Sequence, residues 1–442
     1  MFIKIGGSML ALHLSDIHFR HPQCGGIDPE RVYRAELAQH AAEQVARLGP
    51  VSAIFVTGDI AYRGLPEEYE AASAWFDEIA VKVGCRPDDI YVVPGNHDVD
   101  RTAFSDRQVR LTVEAVAQAT TENRRERALM DTLHDPESAK NLFASIEAYN
   151  AFAAQYDCNV HSRRPYWERY FPLTEGAALY VRGLTSTFIS GIAGTDDRRS
   201  LYLSALQTGI EPLDGVINLA MLHHPLDWFS DMDSAEPRLL GRPGVVLCGH
   251  KHTQWLQGHN GGALFVRAGS VNPERDGLLW APAYNFIEFN VEEQDNRKDV
   301  RVRTWQYDYQ AQGEAFRLRT HRLDGLVQDY FDHRVTLRGE WRPKGKIGHA
   351  IEVNADAPAD CASINDIEES VMAAPQTRQI NRRFWRLAHS ERRSIMVGLG
   401  KWPPDTPVEN EYAVFRAAIV ALAKEQKLGA LDEAIQIAEQ EE

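Results

Sequence analysis

Five short apolar runs in this chain each end on a small group of side chains able to bind metals or handle protons. Leu10–Ser15 runs into Asp16-Ile-His18, Val51–Thr57 into Gly58-Asp59, and Ile90–Val93, past Pro94, into Gly95-Asn96-His97-Asp98. Val216–Leu222 runs into His223-His224, and Val245–Cys248 into Gly249-His250-Lys251-His252. Helical stretches at Pro29–Leu48 and Glu67–Val83 separate the first three runs. Buried strands alternating with amphipathic helices predict an α/β fold. In such sheets, ligands bind in loops beyond the carboxyl ends of the strands, where these clusters fall.

The same patterning divides the chain. Residues 101–160 break the rhythm with two or three amphipathic helices, inserted before strands resume at Trp167–Leu173 and Ala177–Leu184. Further strands are expected at Ala263–Arg267 and Tyr284–Phe289, and Val300–Tyr309 alternates like an antiparallel edge strand. These limits give a first domain over 1–310 and a polar junction with some β pattern over 311–375. The helical stretch over 376–442 reads as a small separate module.

Composition narrows the partners. The chain has 442 residues, so two or three domains are expected. Its formal charge is −15, which excludes coating nucleic acid through a basic surface. Five scattered cysteines with no CxxC pair argue against a disulfide framework or a zinc ribbon, and favour a reducing compartment. No run of 18 apolar residues predicts a membrane span, and the N-terminus lacks a signal-peptide core, with Met9 a candidate internal start. A cytoplasmic location is expected.

Taken singly, each cluster is a common loop motif. Taken in order, D-x-H, G-D, G-N-H-D, H and G-H-x-H, they resemble the calcineurin-like metallophosphoesterase superfamily over residues 9–310. The resemblance implies a four-layer α-β-β-α sandwich, here with an inserted helical cap and an all-α C-terminal domain. It implies two metal ions, one held by Asp16, His18, Asp59 and His252, the other by Asp59, Asn96, His223 and His250. Manganese or iron is favoured for imidazole-rich donors, and zinc is also compatible. A carboxylate alone behind a glycine, as Asp59 is, suits a bridge between two cations. The first histidine of an HHP run is the usual ligand, which favours His223 and leaves His224 to touch the ligands or the substrate.

The implied reaction is phosphoester hydrolysis by a metal-activated hydroxide, with no covalent enzyme intermediate. His97 stands beside a ligand without being one in the family pattern, and is the candidate acid for the leaving oxygen. Asp98 either orients His97 or caps the next turn. Gly58-Asp59-Ile60-Ala61-Tyr62 also resembles the GDxxY of purple acid phosphatases, but His18 replaces the glycine of their first motif, so Tyr62 is expected to pack rather than ligate. Arg63, in the same block, and Arg101, at the start of the insertion, are candidate phosphate contacts. With Arg107, Arg110, Arg124, Arg125 and Arg127, Arg101 makes either a solvated helix face or a phosphate-binding cap.

The blocks HLSDIHF, VTGDIAYRG, VVPGNHDVDR and HHPLDW look most like cyclic-nucleotide phosphodiesterases and their relatives. The expected substrate is a phosphodiester of a nucleotide or nucleic acid. Mre11/SbcD-like nucleases share every metal ligand and form the alternative, and a non-catalytic scaffold on the same fold is a further one. The C-terminal helices resemble small adaptor modules fused to effectors in bacterial conflict systems. That implies a protein partner and a role in defence or signalling.

Overall fold

The computed structural model describes residues 8–192, 196–259, 262–273, 281–294, 297–312, 315–323, 325–340, 364–402 and 410–441. Its strands are, in chain order, β1 (Ser8–Leu14), β2 (Ala53–Val56), β3 (Ile90–Val92), β4 (Trp167–Thr174), β5 (Ala177–Gly183), β6 (Val216–Met221) and β7 (Gly244–Cys248). They continue with β8 (Trp255–Gly258), β9 (Ala263–Arg267), β10 (Ala283–Gln294), β11 (Arg297–Gln310), β12 (Ala315–Leu318), β13 (His321–Leu323), β14 (Leu326–Gln328) and β15 (Phe331–Thr336). Among the described residues they form two large sheets and one hairpin. The first sheet runs β12-β11-β10-β1-β2-β3, with β15 also on β11, and the second runs β4-β5-β6-β7-β9-β8.

Strands β1, β2 and β3 are parallel, linked by α1 (Arg31–Leu48) and α2 (Pro66–Lys82). Strands β5, β6, β7 and β9 are parallel as well. All residues of β2, β5 and β7 are buried, as strands covered on both faces require. The sheets share one apolar core. Phe55 of β2 meets Phe171 of β4 edge-on, and the Trp167 indole donates to the Val92 carbonyl across the seam at 2.8 Å. This is the α/β fold that the strand pattern predicts, with the two sheets that the family resemblance implies.

The insertion between β3 and β4 contains α3 (Arg107–Ala117), α4 (Glu122–His134), α5 (Pro136–Phe143) and α6 (Glu147–Ala153), one helix more than the pattern suggests. Asp106, Thr121 and Asp135 cap the first three by accepting from backbone N–H groups. Two short helices follow in the body, α7 (Ala205–Thr208) and α8 (Met232–Leu240). The edge-strand expectation for residues 300–309 is corrected, because β11 pairs with β10 on one side and with β12 and β15 on the other. Of the junction, residues 341–363 lie outside the described residues. No helix among the described residues is long and apolar enough to cross a membrane.

The C-terminal helices are α9 (Ile364–Ala373), α10 (Pro375–Arg386), α11 (His389–Gly398), α12 (Glu411–Lys424) and α13 (Leu428–Glu441). Phe384, Trp385, Met396, Phe415 and Ile419 form a second core, which also takes in Ala154 of the body. Buried charges join the two parts. Asp157, 3% exposed, receives Arg164 and Arg169 from the body and Arg416 from α12, the last at 2.9 Å. Glu369 of α9 pairs with the same three arginines. Asn381 donates to the Ala154 carbonyl at 2.9 Å, and Arg382 and Arg386 reach Asp77 of α2.

Removing one member of a buried ion cluster strands the others, at a cost of about 3–5 kcal/mol. Asp157→Ala is therefore expected to lower unfolding free energy by about that much in a urea titration. A chain ending at residue 363 should also unfold at clearly lower urea than the full chain. An unchanged midpoint in both would show that the cluster contributes nothing.

Candidate metal centre

The parallel strands of both sheets end at one seam, and their next residues make the centre. Five of these residues have left-handed backbones: Asp16 and His18 at φ 54°, Asp59 at 53°, His250 at 71° and His252 at 55°. Non-glycine residues rarely hold this conformation unless the surroundings impose it. The Asp16 loop is fixed by Ile17 and His18 N–H groups donating to the Asp59 carbonyl at 2.8 and 3.0 Å. Gly58, at φ 88°, leaves room for the His223 ring, and a side chain at Gly249 would strike Ser15 and Asp16.

Asp59 sits in the middle. Its Oδ2 lies 3.1 Å from His223 Nε2 and 3.4 Å from His18 Nε2, and its Oδ1 accepts the His97 N–H at 2.8 Å. Asp16 Oδ1 faces His252 Nε2 at 3.2 Å, and Asp16 Oδ2 accepts the His250 N–H. His250 Nδ1 lies 3.0 Å from Asn96 Oδ1 and 3.3 Å from His223 Nε2. Four overlapping groups have donor atoms within 4.8 Å of one another: Asp16, His18 and His252; Asp16, Asp59 and His223; His18, Asp59 and His97; and His223, His224 and His250.

The hydrogen bonds show what this arrangement lacks. His223 Nδ1 lies 2.7 Å from the Thr57 carbonyl, so that nitrogen carries a proton. Its Nε2, 3.1 Å from Asp59 Oδ2, shares a second proton with that carboxylate, and a bound cation would take that proton's place. Burial alone would depress His223, yet Asp59 beside it carries its pKa up to about 9. Burial, then the His223 charge, brings His250 down to about 4. Buried carboxylates with neutral imidazoles are a suitable donor set for divalent transition metals.

Two further carboxylates hold the loops. Asp98 accepts the Gly95, Ile60 and Ala61 N–H groups and the Tyr69 hydroxyl, so it ties the GD loop to the GNHD loop. Burial and then Asp59 raise Asp98 to about 6. Glu68 accepts the N–H groups of His21, Tyr62, Arg63 and Leu65. His224 turns away from Asp59: its Nδ1 meets Ser186 Oγ at 2.9 Å, and its buried Nε2 has no hydrogen-bond partner.

The structure does not bring every candidate to the cluster. Arg63 is exposed, and Arg101 is 61% exposed and pairs with Asp196 at 3.3 Å. Arg125 is committed to the Val116, Ala117 and Ala119 carbonyls at the end of α3. Sequence reasoning passed over Ser186, Glu68, Arg20 and the Asn272 carbonyl, which lies 3.3 Å from His18 Nδ1. Ser186 and Asn272 reach the centre from distant segments, whereas Arg20 and Glu68 lie close to His18 and Tyr62 in the chain but fall outside the ligand motifs.

The profile of the calcineurin-like phosphoesterase family matches residues 9–254, more than half of the chain. The chain belongs to that family. A second profile, of a GTPase-associated adaptor domain, matches residues 376–437 of this phosphoesterase. No curated protein matches it in sequence. Solved structures similar to it include a dimetal phosphatase from Danio rerio, at 13% identity over 74% of this chain and 99% of that one, TM-score 0.36. Others are a putative 5′-nucleotidase from Staphylococcus aureus (10% identity, 78% and 56% covered, TM-score 0.32) and the purple acid phosphatase PPD1 of yellow lupin (10%, 79% and 58%, TM-score 0.33).

Asp98→Ala would leave three backbone donors of the phosphoesterase without their shared acceptor. It is expected to cost about 3 kcal/mol or more in urea unfolding. A loss below about 1 kcal/mol would mean that other contacts hold the loops.

Proposed function

We propose that the protein is a two-metal phosphodiesterase acting on a nucleotide or nucleic-acid diester. The observation that carries this reading is the set of imidazole nitrogens converging on Asp59 Oδ2 from both sheets. Asp16, His18, Asp59 and His252 would hold one ion, and Asp59, Asn96, His223 and His250 the other. The imidazole content favours manganese or iron, with zinc compatible. When bound, two such cations acidify a water molecule and neutralise charge on phosphoryl oxygens.

The chain's own groups do the rest. His97 Nδ1 lies 3.0 Å from the Tyr62 carbonyl, which holds one proton there, so the ring acts as acid when a second proton sits on Nε2, the nitrogen left to serve the leaving oxygen. His224 Nε2, buried and unpartnered, is available to a phosphoryl oxygen. Arg63 and Arg101, exposed on neighbouring loops, are the proposed outer phosphate contacts. A net charge of −15 disfavours long duplex DNA as the substrate, leaving nucleotides or single strands. Occupation of every donor position weighs against a non-catalytic scaffold. The match to a GTPase-associated adaptor domain supports a protein partner, a GTPase by that description, and the proposed role is that of a defence or signalling effector.

Metal analysis of the purified protein, with hydrolysis of bis-p-nitrophenyl phosphate, tests the reading. About two transition-metal ions per chain are expected, and Asp59→Asn should lose at least one of them. A full metal complement in Asp59→Ala would overturn the assignment. A panel of cyclic nucleotides, single-stranded DNA and RNA then sorts the substrates. His97→Ala is expected to keep its metals but lose roughly 100-fold or more on esters with poor leaving groups. Loss of metal in that variant would make His97 a ligand instead.

A further inference from the structure

Tyr62 is bound to the centre through both its ring and its backbone. Its ring lies parallel to that of His97, centroids 4.9 Å apart at 17°, and its carbonyl oxygen takes the His97 Nδ1 proton at 3.0 Å. His18 closes a second side of His97 edge-on at 4.9 Å. The Arg20 guanidinium carbon sits over the Tyr62 ring, 3.9 Å from its centroid. Arg20 Nε is buried with no hydrogen-bond partner among the described residues, so the ring is its main contact there. The Tyr62 backbone is pinned in turn, its N–H donating to the Phe19 carbonyl at 3.0 Å and to Glu68 at 3.2 Å. Arg20, Tyr62 and His97 thus form a stacked column along one wall of the centre.

We infer that Tyr62, backed by Arg20, is the positioning residue for His97, and that this column decides whether poor leaving groups can be expelled. The inference rests on the reading of His97 as the leaving-group acid. A proton transfer counts only when Nε2 is held within hydrogen-bond reach of the leaving oxygen, and a ring free to rotate loses that alignment. The Tyr62 carbonyl fixes which nitrogen faces outward, and the stacked ring fixes where it points. The Tyr62 ring also meets His18, a proposed ligand, edge-on at 6.0 Å, so metal content is measured beside turnover.

The test compares the p-nitrophenyl and phenyl esters of thymidine 5′-monophosphate on metal-loaded protein, because the two substrates differ only in how much protonation the leaving group needs. Tyr62→Ala should lower kcat on the phenyl ester at least tenfold more than on the p-nitrophenyl ester, with KM and metal content held. Tyr62→Phe, which keeps the ring, should restore the ratio, and Arg20→Met should show a smaller selective loss. If Tyr62→Ala does not fold, the Arg20→Met ratio against wild type decides the matter. An unselective loss or no loss, while His97→Ala keeps the selective one, would overturn the positioning role alone. If His97→Ala itself shows no selectivity, the acid assignment falls and the inference falls with it.

Discussion

Asp16 and Asp59 are carboxylates taken almost wholly out of water, 0% and 1% exposed, in a pocket otherwise lined by imidazoles. Buried charge of this kind persists only when it is paired and its oxygens are satisfied. Here the partners are histidines supplied by strand ends of both sheets, and the two sheets must therefore meet where they do. The left-handed turns at Asp16, His18, Asp59, His250 and His252 follow from the same demand, since each turns a side chain back over the end of its own strand. Asp98 and Glu68 then offset the strain by binding seven backbone N–H groups of the loops between them. A cation at Asp59 would take the place of the proton that His223 and Asp59 otherwise share.

Much of this was legible in the sequence because the information is local. A buried parallel strand is a short β-branched run, and a ligand loop is the polar cluster directly after it, so β1, β2, β3, β6 and β7 and their loops could be read in one pass. What escaped is non-local or short. Strand β8 is largely exposed and only four residues long, and it exists by pairing with β9. Strands β12 and β15 turn β11 from an edge into an interior strand, which its own alternation cannot reveal. The hydrogen bond of His223 to the Thr57 carbonyl and the tie made by Asp98 to Tyr69 and Ile60 also lie beyond any local pattern.

The C-terminal helices show the same limit on a larger scale. Their composition separates them from the phosphoesterase, and the adaptor profile confines itself to residues 376–437. Yet Arg416 reaches a carboxylate 259 residues earlier, and Glu369 binds arginines from both parts. Arg378 of α10 also lies over the Tyr91 ring on β3, the strand that leads into Asn96 and His97. An adaptor docked in this way has its inner face built into the phosphoesterase's own packing.

The central claim is that Asp59 lies between two cations. Anomalous diffraction from crystals soaked in manganese, collected at the manganese edge, tests it most directly. The account predicts two peaks about 3.5–4 Å apart on either side of the Asp59 carboxylate, one beside Asp16, His18 and His252 and the other beside Asn96, His223 and His250. A single peak away from Asp59, or none with the protein intact, would contradict it.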